Sequence, residues 1–425
     1  MRWLIVLNLK TITFNHDLTD ATLSALNIRQ NKDFETALPE YDSAIPRSAQ
    51  QQCAAYAIVP TKGRAVFVRC QFTLPAHGVF EVRATGGGVL GKLDARVVGP
   101  GAGTVSVDFP LAHRNFGAVG RHDVIWRWLV RPKGASGWQT LVSTSHRIYL
   151  LLDIPGAPWV QTFGDKHCPW TDLLDHACAI ASGAHSEIAA AIAHVKAIYS
   201  NYSLRYDIVS GAPRYGFGQT SGSFKLTNWI AYVLQATPPA GTMFCQGSGE
   251  AYNNQWIVNC YDAAAALALM GKAVGARLDY YFHGPFGYLR FVLPIGRGKC
   301  NNPFYGCWSN MPIMGEDDTV RSRFGNHAYT KLAGQNNFDA CMKKWRSWLE
   351  ELILTIIYFI VWLILLIITL GLVNRSDLLD QAHGWLVNLT QADYNASVID
   401  TSTPAEAAAA AGGAPVICTL DFQVV

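Results

Sequence analysis

Cys260 stands where a polar entry, "NNQWIVN", meets an alanine-rich run, "YDAAAALALMGKAVG". Ala263 to Val274 is as strong a helix former as the chain contains, and Gly275 is a natural stop. Asn259 suits the N-cap, and Asp262 follows three residues later, close to a capping-box pattern. Cys260 then falls at the first helical position, where unpaired N–H groups and the helix dipole favour thiolates. Asp262 acts against this, since a neighbouring carboxylate disfavours a thiolate. A thiol nucleophile also needs a base within hydrogen-bond reach, and the base needs a third group to orient it. The stretch "RFGNHAYTKLAGQNNFDACM" offers both, as His327 and Asp339. If Leu332-Ala333-Gly334 form a three-residue hairpin loop, the strands pair about Ala333 and His327 faces Asp339. A turn at Gln335-Asn336 is the alternative. The oxyanion donors expected are the Cys260 N–H and a side chain just upstream, with Gln255 the candidate and Trp256 or Gln246 the alternates.

The elements that must hold these residues follow a consistent pattern. Upstream, "SEIAAAIAHVKAIYSNYSLRYD" places Ile188, Ile192, Val195 and Tyr199 on one helix face. Downstream, "ARLDYYF", "GYLRFVLPI", "NHAYTKL" and "NNFDACM" read as strands. Helices followed by strands indicate an α+β domain. The other cysteines carry a weaker case: Cys245 and Cys300 sit in loop-like contexts without a helix start. His283, in "FHGPFG", reads as a turn or strand-end residue.

The order Cys260, His327, Asp339, with "NCYDAAAAL", "GNHAY" and "NFDAC" around them, resembles the core of the transglutaminase-like superfamily. "AIAHVKAIYSNYSLRYD" is similar to the helix that precedes the nucleophile in that family. The resemblance covers about residues 165–345. It implies a papain-like catalytic domain in which the cysteine attacks an amide carbonyl and forms a thioester. Water as acceptor gives a protease or amidase; a lysine amine gives transglutaminase crosslinking, and glutamine deamidation is a further variant. The long Cys-to-His interval, with an insertion around "GKCNNPFYGCWSNMPIMGEDD", departs from the usual pattern. No DxDxDG calcium loop is present, which makes a calcium-dependent crosslinker the less favoured variant. Two readings from other classes stand beside the enzyme: an inactive transglutaminase-like binding module and a membrane-inserting effector.

Composition narrows the partners. The chain has 425 residues, half of them hydrophobic, and a formal net charge of +3. There is no basic, aromatic-laced stripe, so nucleic acid is not an expected partner; a protein or peptide substrate is. Ten irregularly spaced cysteines, with no CxxC pair, suggest a reduced, intracellular protein. His176 and Cys178 lie two apart on a helix and cannot converge on one ion, so neither metal nor cofactor is expected. "GGGVLG", residues 86–91, has dinucleotide-loop spacing, but a strand follows it where that motif needs a helix. HExxH, P-loop and GxSxG motifs are absent from the sequence.

The expected organisation has five parts: an N-terminal arm at 1–50, an antiparallel β-sandwich at 51–155, the catalytic domain at 160–346, a transmembrane helix at 350–374 and a tail at 375–425. The sandwich rests on short alternating runs such as "RAVFVRCQF", "TVSVDF" and "DVIWRWLVR", separated by Gly- and Pro-rich turns. The transmembrane helix rests on the uncharged run 352–373, "LILTIIYFIVWLILLIITLGLV". Lys343, Lys344 and Arg346 before it would keep the catalytic domain in the cytoplasm, in a single-pass membrane protein.

Overall fold

Alternation of buried and outward side chains organises the first part of the chain, seen here in a computed structural model. The structure describes residues 7–49, 51–74, 78–100, 103–111, 116–207, 211–216, 221–240, 249–301, 323–347, 349–350, 352–354, 356–357, 360, 380 and 383–422. The fold is α+β and divides into two compact units, 1–190 with 272–276, and 191–271 with 277–425.

The first unit is a two-sheet β-sandwich. One sheet has the order β2 (Tyr41–Asp42), β1 (Asn8–Thr13), β4 (Phe67–Leu74), β7 (Gly103–Pro110). The other runs β3 (Cys53–Ala57), β9 (Gln139–Leu151), β8 (Gly120–Pro132), β5 (Phe80–Gly86), β6 (Leu93–Val98). In β8, Val124, Trp126, Trp128 and Val130 point inward at every second position, while Arg121 and Arg127 point out. Trp128 meets Phe72 and Phe109 of the other sheet edge-on, at 6.0 and 5.7 Å. Each indole N–H is satisfied: Trp126 donates to the Gly91 carbonyl at 2.9 Å and Trp128 to Thr144 Oγ1 at 3.1 Å.

Three details differ from the expected organisation. Residues expected as an arm supply β1 and β2, so the sandwich begins before residue 51. One pair is parallel, β3 with β9, in an otherwise antiparallel sandwich. Helix Thr171–Ile180 belongs to the first unit, where its Asp175 accepts from Arg147 and Tyr149 of β9. "GGGVLG" lies between antiparallel β5 and β6 and includes a short 3₁₀ turn, Gly88–Leu90.

The second unit carries most of two longer helices, Glu187–Ser200 and Cys260–Ala273. Strands β10 (Leu204–Tyr206), β13 (Gln255–Val258) and β12 (Ala251–Tyr252) form one small sheet. A four-stranded sheet follows the order β18 (Asn336–Phe338), β17 (His327–Leu332), β14 (Leu278–Gly284), β21 (Ala414–Ile417). Three further pairs complete it: β11 (Ser221–Phe224) with β22 (Thr419–Phe422), β15 (Tyr288–Leu289) with β20 (Ile399–Asp400), and β16 (Val292–Pro294) with β19 (Met342–Lys344). Residues expected as a tail are thus built into this unit, through β20, β21, β22 and helices Gln391–Val398 and Pro404–Ala410.

The transmembrane helix expected at 350–374 is corrected. Among the described residues, no helix is long and apolar enough to cross a membrane. Residues 361–373 of the uncharged run lie outside the described residues, and the helical positions described, 349–350, 352–354, 356–357 and 360, fall short of the roughly 20 residues a span needs. Among the described residues the fold is therefore α+β without a membrane helix, and the single-pass localisation with a cytoplasmic catalytic domain does not stand.

Candidate active site

The helix Cys260–Ala273 starts where the sequence placed it, and the capping box closes. Asn259 Oδ1 accepts from the Asp262 N–H at 3.2 Å, and Asp262 Oδ2 accepts from the Asn259 N–H at 3.1 Å. Asp262 does more than cap. Its carboxylate also accepts from the N–H groups of Arg214, Tyr215 and Gly216, the last two at 2.6 Å each. Burial pushes the Asp262 pKa up, and these four amides oppose the rise without cancelling it. Asn259 Nδ2 donates to the Gly211 carbonyl at 2.9 Å, so helix start and the 211–216 loop are one hydrogen-bonded piece. Arg214, fixed by the same carboxylate, forms buried ion pairs with Asp207 and Glu250.

Strand β10 runs parallel to β13, with Tyr206 paired to Val258. That pairing carries the Tyr206 phenol to Cys260, and the two side chains line one cavity. Burial first, then Cys260, push the Tyr206 pKa up.

The hairpin that brings His327 and Asp339 together uses a different register from the one expected. The pairs are Thr330 with Phe338, Lys331 with Asn337 and Leu332 with Asn336, centred on Gly334 rather than Ala333. Ala333 and Gly334 both take positive φ, 47° and 74°, in the turn. Extending this ladder would set His327 opposite Cys341, with Asp339 its diagonal neighbour on the same face. A register shift of two keeps the face, so the contact survives: β18 ends at Phe338, and the Asp339 carboxylate reaches His327 Nε2 at 2.9 Å.

His327 and Asp339 side chains are 0% and 1% exposed. Phe286 and Phe324 wall in the imidazole, with ring centroids 5.2 and 5.5 Å away. Burial opposes a charge on His327. The charge and hydrogen bond of Asp339, followed by the nearby Cys260, overcome it and carry the pKa up to about 10. Nε2 is committed to Asp339, and the buried Nδ1 has no hydrogen-bond partner among the described residues, which leaves it as the ring nitrogen available to Cys260. Asp339 is itself held by three donors. Oδ1 accepts from the Cys341 N–H at 2.7 Å, and Oδ2 accepts from the Tyr394 hydroxyl at 2.8 Å besides His327.

Cys260 lines a cavity of about 300 Å³ together with Tyr206, Gly211, Tyr261, Arg323, Phe324, Gly325 and Asn326. The Tyr261 hydroxyl donates to Asn326 Oδ1, tying the neighbour of Cys260 to the segment before β17.

The structure thus brings Cys260, His327 and Asp339 together and places Gln255 elsewhere. Gln255 is at the far end of β13, its Oε1 accepts from Arg205 at 3.1 Å, and it does not line the cavity. Trp256 packs on Tyr232 instead of lining the cavity, and Gln246 and Cys245 lie outside the described residues. Cys300 is buried in a bridge with Val292. His283 pairs with His327 across the sheet and meets the Tyr329 hydroxyl at 3.3 Å; burial, then the His327 charge, lower its pKa to about 4. Sequence reasoning missed Tyr206 and Tyr394. Both arrive through distant pairings, for which no local spacing gives a signal. Compared with known proteins, the chain matches no family model and no curated protein.

Proposed function

We propose that this chain is a cysteine-dependent acyl-transfer enzyme acting on an amide or peptide bond. The observation that carries this reading is the linked set Cys260, His327 and Asp339, with the cysteine at a helix start and on a cavity wall. His327 takes the Cys260 proton through Nδ1, and Asp339 holds the ring and its positive charge. The sulfur attacks the amide carbonyl and forms a tetrahedral oxyanion. The Cys260 and Tyr261 N–H groups belong to the first helical turn, whose amides have no intrahelical acceptor, and are the natural oxyanion donors. Tyr206 lines the same cavity, and its hydroxyl would be a third donor. Collapse of the oxyanion, with the His327 proton passed to the departing amine, leaves a thioester that water then cleaves. Hydrolysis, as in a protease or amidase, is favoured over lysine crosslinking because the sequence carries no DxDxDG calcium loop. Membership of the transglutaminase-like superfamily is part of this proposal and rests on the sequence motifs.

The test is site-resolved alkylation by iodoacetamide from pH 5 to 9, comparing wild type with His327→Ala. Cys260 is expected to outpace the other cysteines at pH 6 and to lose that lead without His327. A Cys260 rate equal to that of an ordinary exposed thiol in both proteins would sink the proposal.

A further inference from the structure

Asp339 Oδ2 takes two hydrogen bonds, and only one of them belongs to the three residues just described. The other comes from Tyr394, on the helix Gln391–Val398. That helix is anchored beside the site by several contacts: the Asp339 N–H donates to the Leu386 carbonyl, Asn337 bridges Leu389, and the Thr390 side chain caps the helix. Tyr394 is fully buried, and its ring packs on Tyr329 with centroids 4.6 Å apart. The Tyr329 hydroxyl is spent elsewhere, on Gln391 Oε1 and His283 Nδ1. Tyr394 therefore makes its carboxylate bond from a fixed ring with a single direction available to the hydroxyl.

We infer that Tyr394 is a positioning residue for the acyl-transfer site: it clamps Asp339 Oδ2 so that the carboxylate stays aligned with His327 Nε2. The inference rests on the Cys260–His327–Asp339 reading and deepens it. The Cys341 N–H holds Oδ1 but leaves the carboxylate free to swing about that bond. The second point of attachment, at Oδ2, removes the swing. The segment from Leu386 to Tyr394 then forms part of the site, although in sequence it lies beyond the apolar run.

The experiment compares the pH dependence of Cys260 alkylation in wild type, Tyr394→Phe and Tyr329→Phe, with urea unfolding of each protein alongside. Tyr394→Phe keeps the ring and removes the hydroxyl. Loss of the clamp is expected to slow alkylation about tenfold at pH 6 and to move the rising limb up by about one pH unit. Tyr329→Phe, which changes the neighbouring ring but not the carboxylate's donors, should leave the limb in place. Tyr394→His keeps a ring and an N–H donor. It is expected to recover part of the lost rate; Tyr394→Leu, which also lacks the hydroxyl, takes the place of Tyr394→Phe if that variant folds poorly. A Tyr394→Phe profile that overlays wild type would overturn the inference, as would a limb that moves down, because the hydroxyl would then only withdraw charge. A wild-type Cys260 without enhanced reactivity would remove the triad reading and this inference with it.

Discussion

Replacing Asp262 by Asn keeps the shape of the side chain and removes its charge. In the wild-type protein Oδ1 accepts from Tyr215 and Gly216 at 2.6 Å and from Arg214 at 3.1 Å. Oδ2 accepts from Arg214 at 2.9 Å and from Asn259 at 3.1 Å. With the amide oxygen at the Oδ1 position, the three bonds there survive as neutral ones. Each then loses about half its strength, together about 2 kcal/mol. The amide NH₂ faces two donors, and the Asn259 N–H is left without its acceptor, which costs about 1–2 kcal/mol more. Release from burying a charge offsets about 1 kcal/mol of this. The net loss is about 2–3 kcal/mol, concentrated on residues 211–216 and the first turn of the helix Cys260–Ala273. Hydrogen-exchange mass spectrometry reads it directly: amides in peptides spanning 211–216 and 259–263 should exchange about 30- to 100-fold faster, at about 1.4 kcal/mol per decade. Peptides of the β-sandwich should not change. If the 211–216 amides exchange within threefold of wild type, Asp262 is not what organises the loop, and the account of the helix start is wrong.

Gly275→Ala should destabilise the first unit, because φ is +83° there and a Cβ would lie 2.3 Å from Asp153 N and 2.4 Å from its carbonyl oxygen. About 3 kcal/mol is expected, a fall in Tm of roughly 6–12 °C by calorimetry. His146 is buried among Phe14, Trp126 and Thr144, and burial lowers its pKa to about 3. As the pH falls below 6.5 the unfolded chain takes the proton first, so His146 contributes a growing loss of stability down to about pH 3. Glu40, raised to about 7 by burial, works in the opposite direction over part of that range. The difference between wild type and His146→Phe isolates the histidine: the variant should gain on the order of 3 kcal/mol relative to wild type between pH 7 and 4.5 in urea titrations. His327 has the reverse sign, with a folded pKa of about 10 above the ordinary 6.5. Its stabilisation is complete below pH 6.5 and is lost as the pH rises through about 10. Asp339→Asn should return the imidazole pKa toward 6.5 by NMR titration and flatten the alkaline fall in stability.

Legibility in the sequence followed range. The helix Cys260–Ala273 was readable because its signals are local: Asn259, Asp262, the alanines and Gly275 lie within one short stretch. The hairpin was readable only up to its turn. Ala333-Gly334 marked the position, but the left-handed conformation of Ala333 itself moved the centre by one residue. The His327–Asp339 contact survived since the pairing shift is even. Gln255 was proposed because it is near Cys260 in sequence. An extended strand separates residues by about 3.3 Å each, and at the far end of β13 the side chain turns to Arg205. Tyr206 reaches the cysteine through a parallel pairing, and Tyr394 through a segment that returns after the apolar run; no periodicity encodes either. The β-sandwich was legible in its alternation, while β1 and β2, within residues 8–42, were assigned to an arm because the rest of their sheet, β4 and β7, lies far along the chain. The apolar run was read by length as a membrane span, and no helix among the described residues has that character.

Strand β14 illustrates a consequence for the newly made chain. One edge pairs with β17, but the other pairs with β21, Tyr281 with Ile417 and Phe282 with Val416. Translation at about 5–20 residues per second leaves on the order of 10 s between the emergence of these two strands. During that interval β14 presents an aromatic edge, "LDYYFHG", with unpaired backbone groups. A chain stalled or cut before residue 414 would keep that edge permanently open. Quality control of such fragments would therefore meet a sticky, strand-adding surface. In the finished protein, the same surface is closed by β21.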